Sequence, residues 1–217
     1  MIADLCVKDL IAEEVKRANF RTSSAQGIAT LALRNYFAGA LLLPYDDFLR
    51  TATECRHDIQ LLSNRMDASI ETVCHRLSTL QRAGANGLPF YFVKIDRAGN
   101  VVKRHSATRF QFARFGGSCP RWNVHQAFEQ NSNKFTAQIA QMPDWIEYLC
   151  IATSVTMHQG DYRTGERRYA LGIGCEVKYA DASVYADGLA VNDVSSSEPI
   201  GVICRICPRD DCDQRAF

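Results

Sequence analysis

Three cysteines lie close together near the end of the chain, with the spacing C-x2-C-x4-C. They are Cys204, Cys207 and Cys212. A C-x2-C pair can direct two thiolates to one point, and a third thiolate can return to that point after a polar loop. The residues among them, including Arg205 and Asp210, are too polar for a buried core segment. The spacing therefore predicts a metal centre with thiolate ligands.

A tetrahedral or cubane centre needs a fourth ligand, and the predicted one is Cys175. Cys175 closes the predicted strand LGIGCEV, where the glycines let the backbone approach a bulky group. Four thiolates suit zinc as well as an iron–sulfur cluster, so the spacing alone leaves the metal open. Cys119, in GGSCP, is predicted at a helix start, either as a reactive thiol or as a simple substitute for an N-cap residue. The other cysteines lie in apolar patterns and are predicted to be core residues, namely Cys6, Cys55, Cys74 and Cys150.

The composition is that of an ordinary globular protein. Hydrophobic residues make up 47% of the chain and the net charge is +1, so no global field favours a membrane or nucleic acid. No apolar run reaches the length of about 18 residues that a membrane span needs, and the first residues carry acids where a secretion signal needs positive charge. We therefore expect a cytoplasmic protein without membrane contact. Nine cysteines in a reducing compartment favour core or metal-bound thiols over disulfides.

The charged residues are unevenly distributed along the chain. Between Arg82 and Arg121 the sequence holds eight basic residues against the single acid Asp96. This cationic stretch in the middle of the chain is a candidate binding region for an anionic ligand.

The elements that must position these residues change in type near Gly84. Apolar residues recur at helical spacing as far as Leu80, and strand patterns follow. Residues 89–96 and 99–106 are predicted as a β-hairpin around a turn at 97–100. Further strands are predicted over 134–142, 145–157 and 167–177, and a short helix over 119–128. The prediction is an α+β fold with a helical subdomain (1–84), an antiparallel α+β domain with an element order like that of GAF or PAS sensory modules (85–190), and a cysteine-rich segment (191–217).

One helical segment, residues 58–81, has the layout of a helix-turn-helix, with Ser69 as an N-cap residue. Its second helix offers only His75 and Arg76 as basic side chains for DNA. We therefore favour a structural role for this segment.

Four stretches carry a resemblance to a known family. They are NYFAGALLLPYDDF, VCHRLSTLQRAGANGLPFYFVKIDRAGNVVKRHSATRF, GGSCPRWNV and PIGVICRICPRDDCDQRAF. Together they resemble the short-chain fatty acyl transcriptional regulators of bacteria, the RamB- and PrpR-type regulators of acetate and propionate catabolism. The resemblance extends over nearly the whole chain.

This resemblance implies a regulator that senses short-chain acyl-coenzyme A, such as propionyl- or acetyl-CoA, and that forms homo-oligomers, either dimers or tetramers. It also implies a [4Fe–4S] cluster on Cys175, Cys204, Cys207 and Cys212, in agreement with the spacing. Members of the family bind DNA through an N-terminal helix-turn-helix domain, and a middle domain of the IrrE type follows it. This chain has no such helix-turn-helix domain and is expected to begin inside the middle domain. It has no H-E-x-x-H sequence, so we expect no zinc-peptidase activity. We expect that the chain is not an enzyme.

Binding of CoA would explain the cationic stretch, because arginine side chains match phosphate oxygens in pairs. An adenine and a pantetheine arm would also need apolar or stacking walls. The predicted phosphate contacts are Lys103, Arg104, Arg109 and Arg114, and the predicted walls are Trp122 or Tyr36.

Two rival hypotheses come from other classes of protein. A CoA thioesterase would use Cys119 as nucleophile and His105 or His125 as base. A zinc-stabilised module would bind nucleic acid, and the metal it contains would distinguish it from an iron–sulfur protein.

Overall fold

The computed structural model describes residues 2–113, 117–158, 163, 165–191 and 193–216. Two compact units make up the chain, Met1–Thr51 and Ala52–Phe217. The predicted boundaries at residues 84 and 190 stay predictions.

The first unit is built from helices. Helix α1 is Ile2–Arg17 and α2 is Ser23–Leu42, and α3 (Tyr45–Glu54) begins in this unit. Thr22 caps α2 because its hydroxyl oxygen accepts the backbone N–H of Ala25 at 3.1 Å. None of the helices that the structure describes is long and apolar enough to cross a membrane.

Two short helices open the second unit. Helix α4 is Ile59–Arg65 and α5 is Ile70–Ser78. The hydroxyl of Ser69 accepts the backbone N–H of Thr72 at 3.2 Å, so the predicted N-cap is confirmed. Helix α5 buries Ile70, Val73 and Leu77 on one face, as its apolar spacing predicts.

A six-stranded sheet forms the rest of the second unit, in the order β4-β3-β7-β6-β5-β8. All neighbours are antiparallel except β5 and β8, which are parallel. Strands β1 and β2 form a separate two-stranded ribbon. The strands are β1 (Gln81–Arg82), β2 (Ala85–Asn86), β3 (Tyr91–Ile95), β4 (Val101–Ser106), β5 (Thr136–Gln141), β6 (Glu147–His158), β7 (Glu166–Glu176) and β8 (Glu198–Pro199). The predicted α+β class, with helices first, is confirmed.

Both faces of the sheet are covered at β3. Alternate residues of a strand face opposite sides, and Tyr91, Val93 and Ile95 belong to the core on one side. On the other side, the Phe92 ring lies 5.8 Å from the ring of His75 in α5. Burial on both faces explains why every residue of β3 is buried.

The predicted helix over residues 119–128 is wrong. This segment consists of turns and ends in a single 3-10 turn, Gln126–Phe128. The side-chain amide of Asn123 donates to the backbone oxygen of Cys150 at 3.0 Å. The backbone N–H of Asn123 donates to the side-chain oxygen of Gln138 at 3.0 Å. The segment therefore combines short turns with bonds to the sheet, and it does not form a regular helix.

Candidate functional site

Four cysteine thiols line one cavity at the end of β8. They belong to Cys119, Cys204, Cys207 and Cys212. This cysteine cavity has a volume of about 10 Å³. Two separate parts of the chain therefore bring thiols to one place, the turn after Ser118 and the C-terminal tail.

Local turns set the positions of these thiols. A 3-10 turn, Cys204–Ile206, carries the first tail cysteine, and the backbone N–H of Cys207 donates to the oxygen of Cys204 at 3.2 Å. Cys119 starts a turn in which its oxygen accepts the N–H of Trp122 at 3.1 Å. The C-x2-C spacing thus forms one tight turn.

Gly201 makes room for one of the thiols. A Cβ atom at this position would lie 2.7 Å from the sulfur of Cys207, which is too close for a normal contact. The backbone of Gly201 also hydrogen-bonds with the Cys119 thiol. A glycine here lets two thiols approach the same stretch of backbone.

The donor set of the cavity fits a thiolate-bound metal centre. Four thiolates are the ligands that zinc and iron–sulfur clusters share. Burial raises the pKa of Cys119, while hydrogen bonds with the backbone of Gly201 and Arg121 act in the opposite direction. Among the residues that the structure describes, no group of three Cys, His, Asp or Glu side chains lies close enough together to hold a metal ion. The four cysteines therefore line one cavity, but their sulfur atoms do not converge on one point.

Cys175 is not among the residues that line the cysteine cavity. It is fully buried in β7, opposite Leu149 of β6. Burial, together with the nearby Cys150 and Glu176, raises the pKa of Cys175 to about 12. The structure thus brings together three of the four predicted ligands and adds Cys119 instead of Cys175.

The predicted core cysteines Cys55, Cys74 and Cys150 are buried, and the side chain of Cys6 lies outside what the structure describes.

The sequence contained a signal for Cys119 that the prediction did not use. Cys119 is followed by Pro120 and preceded by glycine and serine, and Cys207 is likewise followed by Pro208. A cysteine in a short turn segment without apolar periodicity is a better ligand candidate than one inside a strand.

The predicted phosphate contacts lie on different faces of the hairpin. Strand β4 alternates, so Arg104 is exposed while Lys103 is half-buried on the side of α5. Burial lowers the pKa of Lys103. Arg104 donates to the backbone oxygen of Ala113 at 3.0 Å, and Arg109 is exposed. Arg114 lies outside the described residues.

The predicted stacking walls differ in their availability. Trp122 is only 3% exposed and its ring lies 5.2 Å from Phe110 in the aromatic core, so its placement there does not support a role as an open wall. Tyr36 belongs to α2 in the first unit and is 39% exposed.

One groove of the second unit has a volume of about 850 Å³ and is lined by residues of α4, α5, β6 and β7. Its described lining includes Glu71 and Glu166 and no basic residue, which does not suit phosphates.

The predicted thioesterase bases have other partners. The imidazole Nε2 of His125 lies 2.9 Å from the hydroxyl of Ser118, and burial lowers the pKa of His125. His105 lies on β4 with its ring 6.1 Å from that of His75. The geometry therefore gives no support to a nucleophile–base pair at Cys119.

Two models of known protein families match this chain. A sequence model of the IrrE N-terminal-like domain matches residues 5–78. The model of the short-chain fatty acyl coenzyme A regulator, C-terminal, matches residues 79–217. The matched relatives are bacterial transcriptional regulators, which agrees with the expectation that the chain is not an enzyme. More specifically, this chain belongs to the short-chain fatty acyl coenzyme A regulator family.

Several relatives support this assignment along almost the whole chain. The propionyl-CoA carboxylase regulator of Cereibacter sphaeroides is 55% identical over 215 residues, which are 99% of this chain and 46% of the relative. The transcriptional regulator PrpR of Mycobacterium tuberculosis is 47% identical and is matched over 96% of this chain and 43% of its own length. RamB of the same species is 45% identical, over 96% of this chain and 44% of its own length. The chain therefore spans less than half the length of these curated relatives.

A solved structure has the same fold. The chain described as a Mycobacterium tuberculosis transcriptional regulator superposes with a TM-score of 0.92 at 46% identity. The match covers 99% of this chain and 65% of that one.

Proposed function

We propose that this chain is the effector-sensing part of a transcriptional regulator that binds short-chain acyl-CoA and holds a [4Fe–4S] cluster on cysteine thiolates. The name of the family and that of the propionyl-CoA carboxylase regulator support acyl-CoA as the effector and genes of propionate or acetate catabolism as the targets. The gathering of four thiols around one cavity is the observation that carries the cluster part of the proposal.

The proposed cluster ligands are Cys119, Cys204, Cys207 and Cys212. This set differs from the one predicted from sequence in having Cys119 in place of Cys175, which does not line the cavity and stays a prediction. When bound, a cluster of this kind supplies a redox-active and oxygen-sensitive centre. The protein supplies the thiolates, and the turn at Cys204 and the small Gly201 place them.

Anaerobic purification with analysis of iron and acid-labile sulfide tests this part. The wild-type chain is expected to contain both, with a broad absorption near about 400 nm. A colourless protein with one zinc per chain would favour the zinc-stabilised module instead. The variant Cys119→Ser is expected to lose most of its iron, whereas Cys175→Ser keeps it.

The acyl-CoA part of the proposal relies on exposed arginines. Arg104 and Arg109 are exposed and remain the best placed of the predicted phosphate contacts. Lys103 is half-buried on the opposite side of β4, and a role for it would need a separate approach of the ligand. Arg114, Tyr36 and Trp122 stay predictions.

Calorimetric titration with propionyl-CoA and acetyl-CoA tests these contacts. Replacement of Arg104 or Arg109 by glutamine is expected to weaken binding about tenfold each, because each change removes a charge-assisted contact to phosphate. Arg97→Gln, at an exposed turn, is the matched control and should leave the affinity unchanged. Recovery of intact thioester after incubation would support a sensor, and hydrolysis would contradict it.

The remaining parts of the proposal concern the whole protein. DNA binding would reside in an N-terminal helix-turn-helix domain outside this chain, since the matched relatives PrpR and RamB are regulators of the HTH type and are about twice as long. We further propose a cytoplasmic homo-oligomer, either a dimer or a tetramer. Sedimentation of the chain with and without propionyl-CoA tests the oligomeric state.

A further inference from the structure

The tail that carries three of the cavity cysteines is tied down by an arginine that is not a ligand. The Nε of Arg121 donates to the carboxylate of Glu198, and its Nη1 donates to Oδ1 of Asp213 at 3.1 Å. The same guanidinium interacts with the thiol of Cys212. One side chain thus joins β8 to the last turn of the chain.

Arg121 is itself held firmly in place. Its backbone oxygen accepts a hydrogen bond from the side chain of Gln138 in β5 at 3.0 Å. Only 23% of its side chain is exposed, so solvent weakens its ion pairs less than those of a surface residue. Arg121 also lies two residues after Cys119. Arg121 therefore connects the turn that bears Cys119 with β8 and with the end of the tail that bears Cys212.

A second arginine anchors the middle of the tail. Arg209, between Cys207 and Cys212, donates from Nε to the backbone oxygen of Ile200 at 3.2 Å. Its Nη2 donates to the backbone oxygen of Gln141 at 3.0 Å and to that of Met142 at 3.2 Å. Arg209 therefore satisfies backbone oxygens where β5 ends, and these bonds fix the tail against the sheet.

We propose that Arg121 and Arg209 are positioning residues that keep the tail docked on the sheet when no metal is bound. Loops held together only by a metal unfold without it. Here charge-assisted hydrogen bonds to carboxylates and backbone oxygens hold the tail, and none of them involves a metal. The cysteine cavity then stays assembled in the metal-free protein, and a cluster can be lost and replaced without refolding of the tail. This consequence rests on the proposed function, whereas the docking itself does not.

Hydrogen exchange of the metal-free chain, prepared with a chelator and a thiol reductant, tests the docking. The backbone N–H groups of Ile206, Cys207 and Arg215 are bonded within the tail and serve as reporters. In the wild type they are expected to exchange much more slowly than in an unstructured peptide. Arg121→Gln is expected to raise their exchange rates about tenfold, because two charge-assisted bonds are lost. Arg97→Gln, at an exposed turn, is the matched control and should change nothing.

A second single variant keeps the test decisive if Arg121→Gln does not fold. Asp213 is 74% exposed and lies in the tail, so Asp213→Asn removes one ion pair without disturbing the sheet. It is expected to raise the exchange rates of the tail amides several-fold, which is less than the effect of Arg121→Gln, because only one of the two bonds of Arg121 is lost. The double variant should exchange no faster than Arg121→Gln alone, because both changes remove the same pair.

The iron-loaded protein provides an independent readout. Release of iron to a chelator is expected to be about tenfold faster from Arg121→Gln than from the wild type. Iron-free wild-type protein would contradict the proposed function alone, because the exchange comparison is made without metal. Tail amides that exchange in the metal-free wild type as fast as in an unstructured peptide would overturn the positioning role. Equal exchange in the wild type and both single variants would overturn it as well.

Discussion

At the scale of single residues, the cysteine cavity depends on the small size of Gly201. Gly201 has no side chain, and the sulfur of Cys207 occupies the space that a Cβ would fill. Cys119 uses the same stretch of backbone for a hydrogen bond. The thiols can therefore gather only while this position remains a glycine.

The change Gly201→Ala is expected to separate metal binding from folding. The new Cβ, 2.7 Å from the sulfur of Cys207, forces that thiol out of the cavity, and a cysteine side chain can rotate away at little cost. We expect loss of most of the bound iron, with a free energy of unfolding of the metal-free protein within about 1 kcal/mol of wild type. Iron analysis and urea unfolding measure the two effects. Gly117→Ala, where the added Cβ meets nothing within 4 Å, is the control, and full iron content in Gly201→Ala would contradict this account.

At the scale of elements, the central strands are fixed by very close packing. Gly174 in β7 faces the ring of Tyr91 in β3 and the backbone oxygen of Leu149 in β6. The ring of Tyr91 stacks on Phe110 with the centroids 4.1 Å apart, and the Phe110 ring lies 5.2 Å from that of Trp122 in the segment that carries Cys119. The sheet and the cavity are thus parts of one packed structure.

Gly174→Ala is expected to destabilise the second unit strongly. The added Cβ would lie 2.2 Å from the oxygen of Leu149, and a backbone atom cannot move aside easily. We expect a loss of roughly 2 to 4 kcal/mol in the free energy of unfolding, from overpacking between strands. Urea unfolding followed by circular dichroism measures it. A variant as stable as Gly117→Ala would show that the strands can separate here without cost.

The sequence was sufficient for the elements whose signals are local. The hairpin turn is one example, because Asp96 accepts the backbone N–H groups of Ala98 and Asn100 and Gly99 adopts a φ of +80°. The helix predicted over 119–128 does not form, and Asn123 in this segment bonds to the strands β5 and β6, which are distant in sequence. The three tail cysteines were recognised from spacing. Cys119 lies outside that spacing pattern, and only its place in a Cys-Pro turn segment marks it as a ligand candidate.

At the scale of the whole molecule, buried and half-buried histidines contribute to the response to acid. Burial is the largest cause that lowers the pKa of His57, His75, His105 and His125. The pKa of His75 falls to about 4, and the positive charges of Lys103 and His105 add to the effect. These side chains are therefore neutral in the folded protein at a pH where the unfolded chain already binds protons.

Stability is expected to fall as the pH decreases from about 6.5 towards 4. In this window the unfolded chain binds more protons than the folded chain, so protonation favours unfolding. His75 alone accounts for a loss on the order of 2 kcal/mol after allowance for its partial exposure. Urea unfolding at several pH values measures the slope, and His75→Gln is expected to make it shallower. A slope that is identical in the wild type and in this variant would rule out this role of His75.

The central claim is that thiols from two distant parts of the chain hold one iron–sulfur cluster in the cysteine cavity. Anomalous diffraction at the iron edge, from crystals of the anaerobically purified chain, tests it most directly. We predict one compact iron peak inside the cavity, in contact with the sulfurs of Cys119, Cys204, Cys207 and Cys212. An iron peak beside the sulfur of Cys175, or a cavity without iron in crystals of the coloured protein, would contradict the claim.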